Sequence, residues 1–175
     1  AIQKLALQPG GCAVELGCAS GLIFQLLQDA LGPDGHIIGV DLTEACLLGK
    51  ACQIDAKGWL NVELIQCDAN RFAFPPHVNA VLSTFAYTLI PEHEILTNEL
   101  LDITSGNRMV VLDLRQAENW PRWLFRFAAF ITSPFGVTEE YAEQHPWFEI
   151  QISLKNFVIK ELFFGGAYIA SGNVL

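Results

Sequence analysis

The sequence predicts an α/β fold in which one mostly parallel sheet of seven strands lies between two layers of helices. The first observation behind this prediction is that short apolar segments alternate with segments of helical periodicity along residues 1–114. The second is that this alternation stops near the C-terminus, where two strand-like segments meet at Gly165-Gly166. A Gly-Gly link predicts a two-residue hairpin turn, so we expect the sheet to end in an antiparallel hairpin strand.

Five strands and the helices between them are predicted over residues 1–114. Thr43 is a candidate N-cap, Gly58 is a candidate C-terminal stop, and Pro91 suits the first turn of a helix. The predicted helices cover residues 2–7, 22–31, 43–57 and 91–103. The predicted strands cover residues 12–16, 36–40, 60–67, 79–84 and 108–114.

The alternating pattern changes after residue 114. Residues 116–136 form an apolar, aromatic stretch in which Arg122 and Arg126 would share one side of a helix. A second helical segment is predicted over residues 138–155, with an interruption at Pro146. The terminal hairpin is predicted from strands at residues 157–164 and 167–170.

The bulk composition narrows the class of protein. A chain of 175 residues predicts one domain, and a hydrophobic content of 51% can fill a sizeable core. The net charge of −9 argues against a nucleic-acid partner, which usually meets a basic face. No apolar run has the length of a membrane span and no signal peptide is evident, so we expect a cytoplasmic protein. The sequence starts at Ala1 inside a predicted helix, which leaves open the question of whether the domain lacks an N-terminal segment that would cover the site.

The cysteines and histidines predict neither a disulfide framework nor a metal site. Five cysteines are an odd number without a Cys-x-x-Cys pair, so we expect small buried side chains in a reducing compartment. The four histidines are separated along the chain and form no ligand motif with the cysteines. The cysteines are Cys12, Cys18, Cys46, Cys52 and Cys67.

The most informative motif is the acidic, glycine-containing turn that follows the first predicted strand. Residues 15–21 read Glu-Leu-Gly-Cys-Ala-Ser-Gly, and a second acid, Asp41, follows the next strand. This arrangement is typical of a nucleoside cofactor held at the open edge of a parallel sheet, where the second acid accepts hydrogen bonds from ribose hydroxyls. The third glycine of a dinucleotide fingerprint is replaced by Phe24, and Glu15 would repel a pyrophosphate. The electrostatics therefore favour S-adenosylmethionine, which carries a sulfonium and an ammonium and has no phosphate.

At these residues the chain resembles the class I, Rossmann-like S-adenosylmethionine-dependent methyltransferases of the small-molecule type. Residues 15–21 resemble the first motif of that family, residues 40–43 its second-strand motif, and residues 67–69 its adenine-binding motif. Residues 78–84 are similar to its fourth-strand region, and the terminal hairpin fits its antiparallel last strand. The resemblance implies a cofactor site formed by Glu15, Gly17, Cys18, Ala19, Gly21, Asp41, Leu42, Asp68, Ala69 and Ser83.

Several of these residues also have ordinary structural interpretations. Glu15 could cap the turn, Asp41 could cap the helix that begins near Thr43, and Asp68 could be a surface loop acid. Cys18 is expected to contribute its backbone amide rather than its sulfur, because no neighbouring cation in the sequence would activate the thiol. Ala19 stands where the family has its middle glycine, which is a mild departure from the motif.

The acceptor side of the site is less defined by the sequence. Residues 116–138 are predicted to be a lid over a lipophilic pocket, with ordinary core or contact with a membrane surface as alternatives. Tyr87, His93 and Arg115 follow the fourth and fifth strands and are the candidate acid–base groups, but none is assigned as catalytic.

The resemblance implies methyl transfer from S-adenosyl-L-methionine to a small acceptor, with S-adenosyl-L-homocysteine as the product. The apolar stretch favours a hydrophobic acceptor. Two other interpretations stay open: a non-catalytic module that binds either form of the cofactor, and an NAD(P)-dependent oxidoreductase. Asp41 is compatible with a nicotinamide cofactor, whereas the residue 15–21 turn and the hairpin are not. The identity of the acceptor and the oligomeric state do not follow from the sequence.

Overall fold

A seven-stranded sheet organises the computed structural model, which describes residues 1–18, 22–90, 107–115 and 146–175. The strands are β1 Cys12–Leu16, β2 His36–Asp41, β3 Val62–Gln66, β4 Ala80–Thr84, β5 Arg108–Leu114, β6 Leu154–Leu162 and β7 Ala167–Val174. The α-helices of the described part are α1 Ile2–Leu5, α2 Leu22–Leu31, α3 Glu44–Lys57 and α4 Trp147–Ser153. The predicted helix at residues 91–103 and the aromatic stretch at residues 116–136 lie outside the described residues.

The strand order is β3-β2-β1-β4-β5-β7-β6, which confirms the predicted fold class. Strands β1 to β5 pair in parallel, while β7 is antiparallel to both of its neighbours, β5 and β6. The chain proceeds outward from β1 to β3 and then returns to place β4 on the other side of β1. Such a reversal of strand order opens a crevice at the carboxyl ends of the strands, where ligands bind in open α/β sheets.

Helices cover both faces of this sheet. One face carries α1, α2 and α3, whose side chains Leu5, Phe24 and Leu47 pack on Ala13 and Ile37 of the sheet. The opposite face packs on α4 and on the loops that follow β3 and β4, through the side chains of Ile150, Phe72, Phe74 and Tyr87. Because parallel strands are covered on both faces, β1 is buried along its whole length, as its apolar sequence predicts.

The C-terminal hairpin is present, but its turn differs from the predicted Gly-Gly link. Four residues, Phe163 to Gly166, join the strands, and they include a short 3₁₀ turn. Phe163 and Phe164 take φ angles of 51° and 56°, a left-handed conformation in which glycine is the usual residue. The residues in the left-handed conformation therefore precede the glycines, which could not be predicted because phenylalanine rarely occupies that region.

The ends of two helices also differ from their predicted positions. The predicted helix at residues 138–155 has a described part that ends at Ser153, because Leu154 is extended and pairs with Val174 of β7. Ladder pairing with β7 outweighs the helical spacing of the apolar residues at this point. The helix at residues 2–7 ends at Leu5 instead, with Ala6 in a left-handed C-cap. Gly58 is the left-handed C-cap of α3, which confirms the predicted stop.

Candidate functional site

A cavity of about 280 Å³ opens at the carboxyl edge of the sheet, next to the point where the strand order reverses. The cavity is lined by the ends of β2 and β3, the glycine turn after β1 and the loop after β4. The lining residues are Gly17, Val40, Asp41, Leu42, Thr43, Cys67, Asp68, Ala69, Ala86, Leu89 and Ile90. Five of the predicted site residues, namely Gly17, Asp41, Leu42, Asp68 and Ala69, therefore share one cavity.

Gly17 is the first residue after β1 and lies in the turn that lines the cavity. Its φ is 69°, and an added Cβ would lie 2.2 Å from the Cβ of Ala86 in the loop after β4. The Gly17 amide donates a hydrogen bond to the carbonyl of Val40 at 2.8 Å, which ties the turn to the end of β2. A glycine is required here both for the positive φ and for the close approach of two chain segments.

Asp41 is the last residue of β2 and is 8% exposed. Its Oδ1 accepts a hydrogen bond from the Thr43 amide at 2.9 Å, so it helps to start α3, as one of the structural interpretations predicted. A carboxylate has about four acceptor sites, and this bond uses one of them. Asp41 therefore combines the structural interpretation with a place in the cavity lining. The Thr43 side chain makes no capping hydrogen bond.

Asp68 begins a 3₁₀ turn just after β3. Its Oδ1 accepts a hydrogen bond from the Asn70 amide at 3.0 Å, which fixes the carboxylate at the cavity wall between Cys67 and Ala69. Asp68 differs from an acid of an exposed surface loop, because it is partly buried and lines the same cavity as Asp41.

Glu15 lies two residues before Gly17, in β1, and only 2% of its surface is exposed. Its Oε2 is buried and has no hydrogen-bond partner among the described residues. Burial raises the pKa of this carboxyl to about 8, with the positive charge of Lys50 opposing the rise and the negative charge of Asp41 adding to it. A buried acceptor without a partner is costly, and a cationic ligand group would relieve that cost.

The remaining predicted site residues divide into two groups. Ala19 and Gly21 lie outside the described residues. Cys18 and Ser83 are buried and do not line the cavity: the hydroxyl of Ser83 donates to the Leu16 carbonyl at 3.2 Å. Burial, with Glu15 next, raises the pKa of the Cys18 thiol to about 12, so the thiol stays protonated at neutral pH. The backbone amide of Cys18 donates to the Val40 carbonyl, and a contact between Cys18 and the cofactor stays a prediction.

Six lining residues are absent from the predicted site: Val40, Thr43 and Cys67 belong to the motifs, whereas the apolar Ala86, Leu89 and Ile90 lie outside every motif. These last three lie in the segment after β4, which enters the cavity because β4 is the sheet neighbour of β1. The signal that could have found them is the strand order itself, since the loops after adjacent parallel strands meet at one edge.

The candidate acid–base groups after β4 and β5 have structural contacts. Tyr87 is fully buried in the core. Arg115 lies against Glu161, with 2.9 Å between Nη1 and Oε1, and its guanidinium carbon lies 5.0 Å from the centre of the Trp147 ring. Asp113 accepts hydrogen bonds from both the amide and the hydroxyl of Thr88 at 2.9 Å, which fixes the loop after β4. His93 lies outside the described residues.

The described residues contain neither a cluster of metal-binding side chains nor a helix that could span a membrane. Across residues 1–18, 22–90, 107–115 and 146–175, no three side chains of metal-binding type lie together. In the same part of the chain, no helix has the length and apolar character needed to cross a membrane. The cysteines in it are all free, but only Cys12 and Cys18 are buried as expected; Cys46 and Cys67 are partly buried and Cys52 is exposed.

A profile of the methyltransferase domain family matches residues 13–105, which is more than half of the chain. Among curated relatives, the chain is 29% identical over 121 residues to an arsenite methyltransferase of Halobacterium salinarum, covering 66% of this chain and 30% of that protein. It is 25% identical over 162 residues to a demethylmenaquinone methyltransferase of Geobacillus kaustophilus, covering 89% of this chain and 68% of that protein.

Among solved structures, a SAM-dependent methyltransferase from Aquifex aeolicus superposes with a TM-score of 0.73 at 13% identity. The superposition covers 99% of this chain and 87% of the other, which establishes a shared fold. The profile match extends from β1 through the strands that form the cavity. The chain therefore belongs to the methyltransferase domain family and has the class I, Rossmann-like fold of that family.

Proposed function

We propose that this chain binds S-adenosyl-L-methionine and transfers its methyl group to a small, hydrophobic acceptor. The observation that carries the proposal is the convergence of Gly17, Asp41 and Asp68 on one cavity at the reversal of strand order. These residues come from three separate motifs, and the sequence resemblance assigns each of them a contact with this cofactor. The chain spans 30% of the arsenite methyltransferase and 68% of the demethylmenaquinone methyltransferase it matches, so the activity of the whole protein belongs to the proposal.

The charge of the cavity fits a cofactor without phosphates. Its described lining contains two carboxylates, Asp41 and Asp68, and no lysine, arginine or histidine. Phosphate sites rely on such cations or on backbone N–H groups at a helix N-terminus, and carboxylates nearby would repel a pyrophosphate. A sulfonium and an ammonium are instead attracted by these carboxylates, and Glu15, which is buried and outside the described lining, offers a third carboxyl group that can ionise when the ammonium binds. This argues against the NAD(P)-dependent alternative.

The residues that would hold the cofactor follow from their positions. Asp41 would accept hydrogen bonds from the ribose hydroxyls with the acceptor sites that Thr43 leaves free. Asp68 and Ala69 would contact the adenine, and Gly17 would admit the ligand close to the backbone. The unpartnered Oε2 of Glu15 would accept from the ammonium at the methionine end.

The cofactor supplies a methyl group that the sulfonium already activates. What remains for the chain is to hold donor and acceptor in line and to exclude water from the reacting atoms. The wall formed by Ala86, Leu89 and Ile90 is apolar, which suits the exclusion of water and a hydrophobic acceptor. A general base is needed only for an acceptor that holds its proton tightly.

The hydrophobic class of the acceptor is proposed from apolar residues of this chain rather than from the names of its relatives. One curated relative is named for demethylmenaquinone and another for arsenite, so the matched family members differ in the acceptors in their names. The predicted lid at residues 116–138 and the apolar wall after β4 favour an organic, hydrophobic acceptor over an inorganic one. The net charge of −9 argues against a nucleic acid.

Calorimetric titration with S-adenosylhomocysteine and with NADH tests the cofactor. We expect binding of the first alone; binding of NADH alone would overturn the proposal. Transfer of a labelled methyl group from the donor by the full-length protein then tests the reaction, with demethylmenaquinone, arsenite and ribosomal RNA offered separately. The expected products are methylated demethylmenaquinone, which carries the label, and S-adenosylhomocysteine. Labelled RNA would overturn the acceptor class, and cofactor binding without transfer to an extract of cellular small molecules would favour the non-catalytic module.

A further inference from the structure

A lysine is buried beside the acid of the first motif. Lys50, in the middle of α3, is 2% exposed, and its Nζ has no hydrogen-bond partner within the described parts of the chain. The Nζ lies 4.3 Å from the centre of the Phe24 ring, which is a cation–π distance. Lysine is almost never buried without a charged partner, so this side chain calls for an electrostatic explanation.

The packing around Gly39 brings Lys50 and Glu15 to the same region. Gly39 of β2 pairs in register with Glu15 of β1, so the two residues face the same side of the sheet. An added Cβ at Gly39 would lie 2.5 Å from Cζ of Phe24 and 3.0 Å from Sγ of Cys18. The missing side chain therefore lets the Phe24 ring pack on Gly39, the register partner of Glu15, and the ammonium of Lys50 lies over that ring.

The carboxyl groups at and around Glu15 outnumber the basic groups by one. The titratable groups that act on Glu15 are Lys50 from α3 and Asp41 from β2, and those that act on Lys50 are Glu15 and the Cys18 thiol. Burial lowers the pKa of Lys50, and Glu15 opposes that change. With both carboxyl groups ionised, the two acids exceed the single lysine by one charge. A ligand that brings an ammonium group to Glu15 would complete the balance.

We propose that Lys50 is a positioning residue that supplies the buried positive charge allowing Glu15 to ionise when the ammonium end of the cofactor binds. The proposal rests on the proposed function, because it takes Glu15 as the partner of that ammonium. Without Lys50, the carboxyl would have to ionise in an apolar setting with only Asp41 nearby, which repels the new charge. Lys50 itself need not touch the cofactor.

Binding of two ligands, S-adenosylhomocysteine and 5′-methylthioadenosine, distinguishes an effect of Lys50 on Glu15 from a general effect of Lys50 on folding. Both carry the adenosine and a thioether, but only the first carries the amino acid with its ammonium. In the wild-type chain, affinity for S-adenosylhomocysteine should rise with pH toward about 8, as Glu15 ionises more readily. Affinity for methylthioadenosine should stay flat over the same range, because Glu15 has no ammonium to meet.

The decisive variant is Lys50→Met, which keeps the length and apolar stem of the side chain and removes its charge. Loss of an adjacent opposite charge raises the pKa of a carboxyl by about one unit or more, so S-adenosylhomocysteine should bind about tenfold more weakly at neutral pH. The rise of affinity with pH should move upward by about one pH unit. Methylthioadenosine should bind as it does to wild type, which also shows that the cavity is folded.

Lys57→Met is the matched control, because Lys57 lies in the last turn of the same helix and is exposed. It should leave both affinities unchanged. In a Glu15→Gln background, Lys50→Met should have no further effect on S-adenosylhomocysteine, since the group it serves is gone. Should Lys50→Met not fold, Lys50→Gln is measured in the same way.

The outcomes separate this inference from the proposed function. Absence of S-adenosylhomocysteine binding to wild type would contradict the proposed function itself. Normal binding to wild type, with an unchanged pH profile in Lys50→Met, would overturn the role of Lys50 alone. An equal loss of affinity for both ligands would also overturn it, because it would show a general structural role.

Discussion

The Cβ of Ala86 lies 2.2 Å from the point where a Cβ on Gly17 would be built. The turn after β1 and the loop after β4 thus meet with no room for a single methyl group. Gly17→Ala should lower the free energy of unfolding by about 1–3 kcal/mol, from overpacking and from the φ of 69°. It should also weaken binding of S-adenosylhomocysteine, because the two segments line the cavity. Urea denaturation and calorimetry measure both effects. Gly49→Ala, at a site with open space around it, is the control expected to lose neither.

Asp41→Asn tests the ribose contact without removing the bond to Thr43. The amide oxygen of asparagine can still accept from the Thr43 amide, so α3 should begin as before. Loss of the charged acceptor should weaken S-adenosylhomocysteine binding by about 1–3 kcal/mol, as measured by calorimetry. Unchanged affinity would remove Asp41 from the site. The exposed Asp55 of α3 provides the control, since Asp55→Asn should leave the affinity at the wild-type value.

The buried carboxyl of Glu15 should make the ligand-free protein less stable as the pH rises. The unfolded chain releases this proton near pH 4.5, whereas the folded chain holds it until about pH 8. Between these values the folded state binds more protons, so the free energy of unfolding falls with pH, at most by about 1.4 kcal/mol per unit.

Denaturation curves of wild type and Glu15→Gln across that interval check this expectation. The variant should show a flatter pH dependence, because glutamine does not titrate. Parallel curves for the two proteins would mean that the carboxyl has an ordinary pKa in the folded state.

Gly39→Ala should be destabilising for a different reason than Gly17→Ala. The φ of Gly39 is not positive, but its added Cβ would lie 2.5 Å from Phe24 and 3.0 Å from both Cys18 and Leu64. Displacement of the Phe24 ring should cost about 1–3 kcal/mol of unfolding free energy, measured in urea. A double variant, Gly39→Ala with Phe24→Leu, should recover part of that loss. No recovery would show that the ring is not the obstacle.

The hairpin tip offers a stabilising change. Phe164 is 98% exposed and has a φ of 56°, so its side chain gains little burial while its backbone is in a region that favours glycine. Phe164→Gly should raise the melting temperature by relieving strain of about 1 kcal/mol. Phe164→Ala removes the same ring and keeps the strain, so it should melt close to wild type. A rise with alanine as large as that with glycine would instead assign the effect to loss of the ring.

The parts of the site that local sequence could predict are those carried by short motifs. Gly17, Asp41 and Asp68 each lie at the carboxyl end of a strand or within two residues of it, and a strand end in a parallel sheet fixes the edge on which its loop lies. Lys50 and Ala86 could not be found in this way. Their positions depend on the packing of Lys50 of α3 over the Phe24 ring of α2 and on β4 lying beside β1, which are contacts between distant segments.

The hairpin was predicted in kind but not in detail. The alternation of strand residues and the two glycines located it correctly, but the tight step is made by Phe163 and Phe164. Tertiary pairing of β6 with β7 determines where the turn closes, and local propensity points to a different position.

The placement of β7 has a consequence for the order in which the sheet is completed. Residues 167–174 occupy an interior position, between β5 and β6, although they are synthesised after the other six strands of the described sheet. Strand β6 has no partner in the sheet until β7 is in place, and β5 keeps an open edge until then. A ribosome-bound chain that ends before Ala167 would therefore expose unpaired backbone on two strands. We expect such nascent chains to associate through the unpaired edges of β5 and β6 unless a chaperone binds them or residues 167–174 emerge in time to pair.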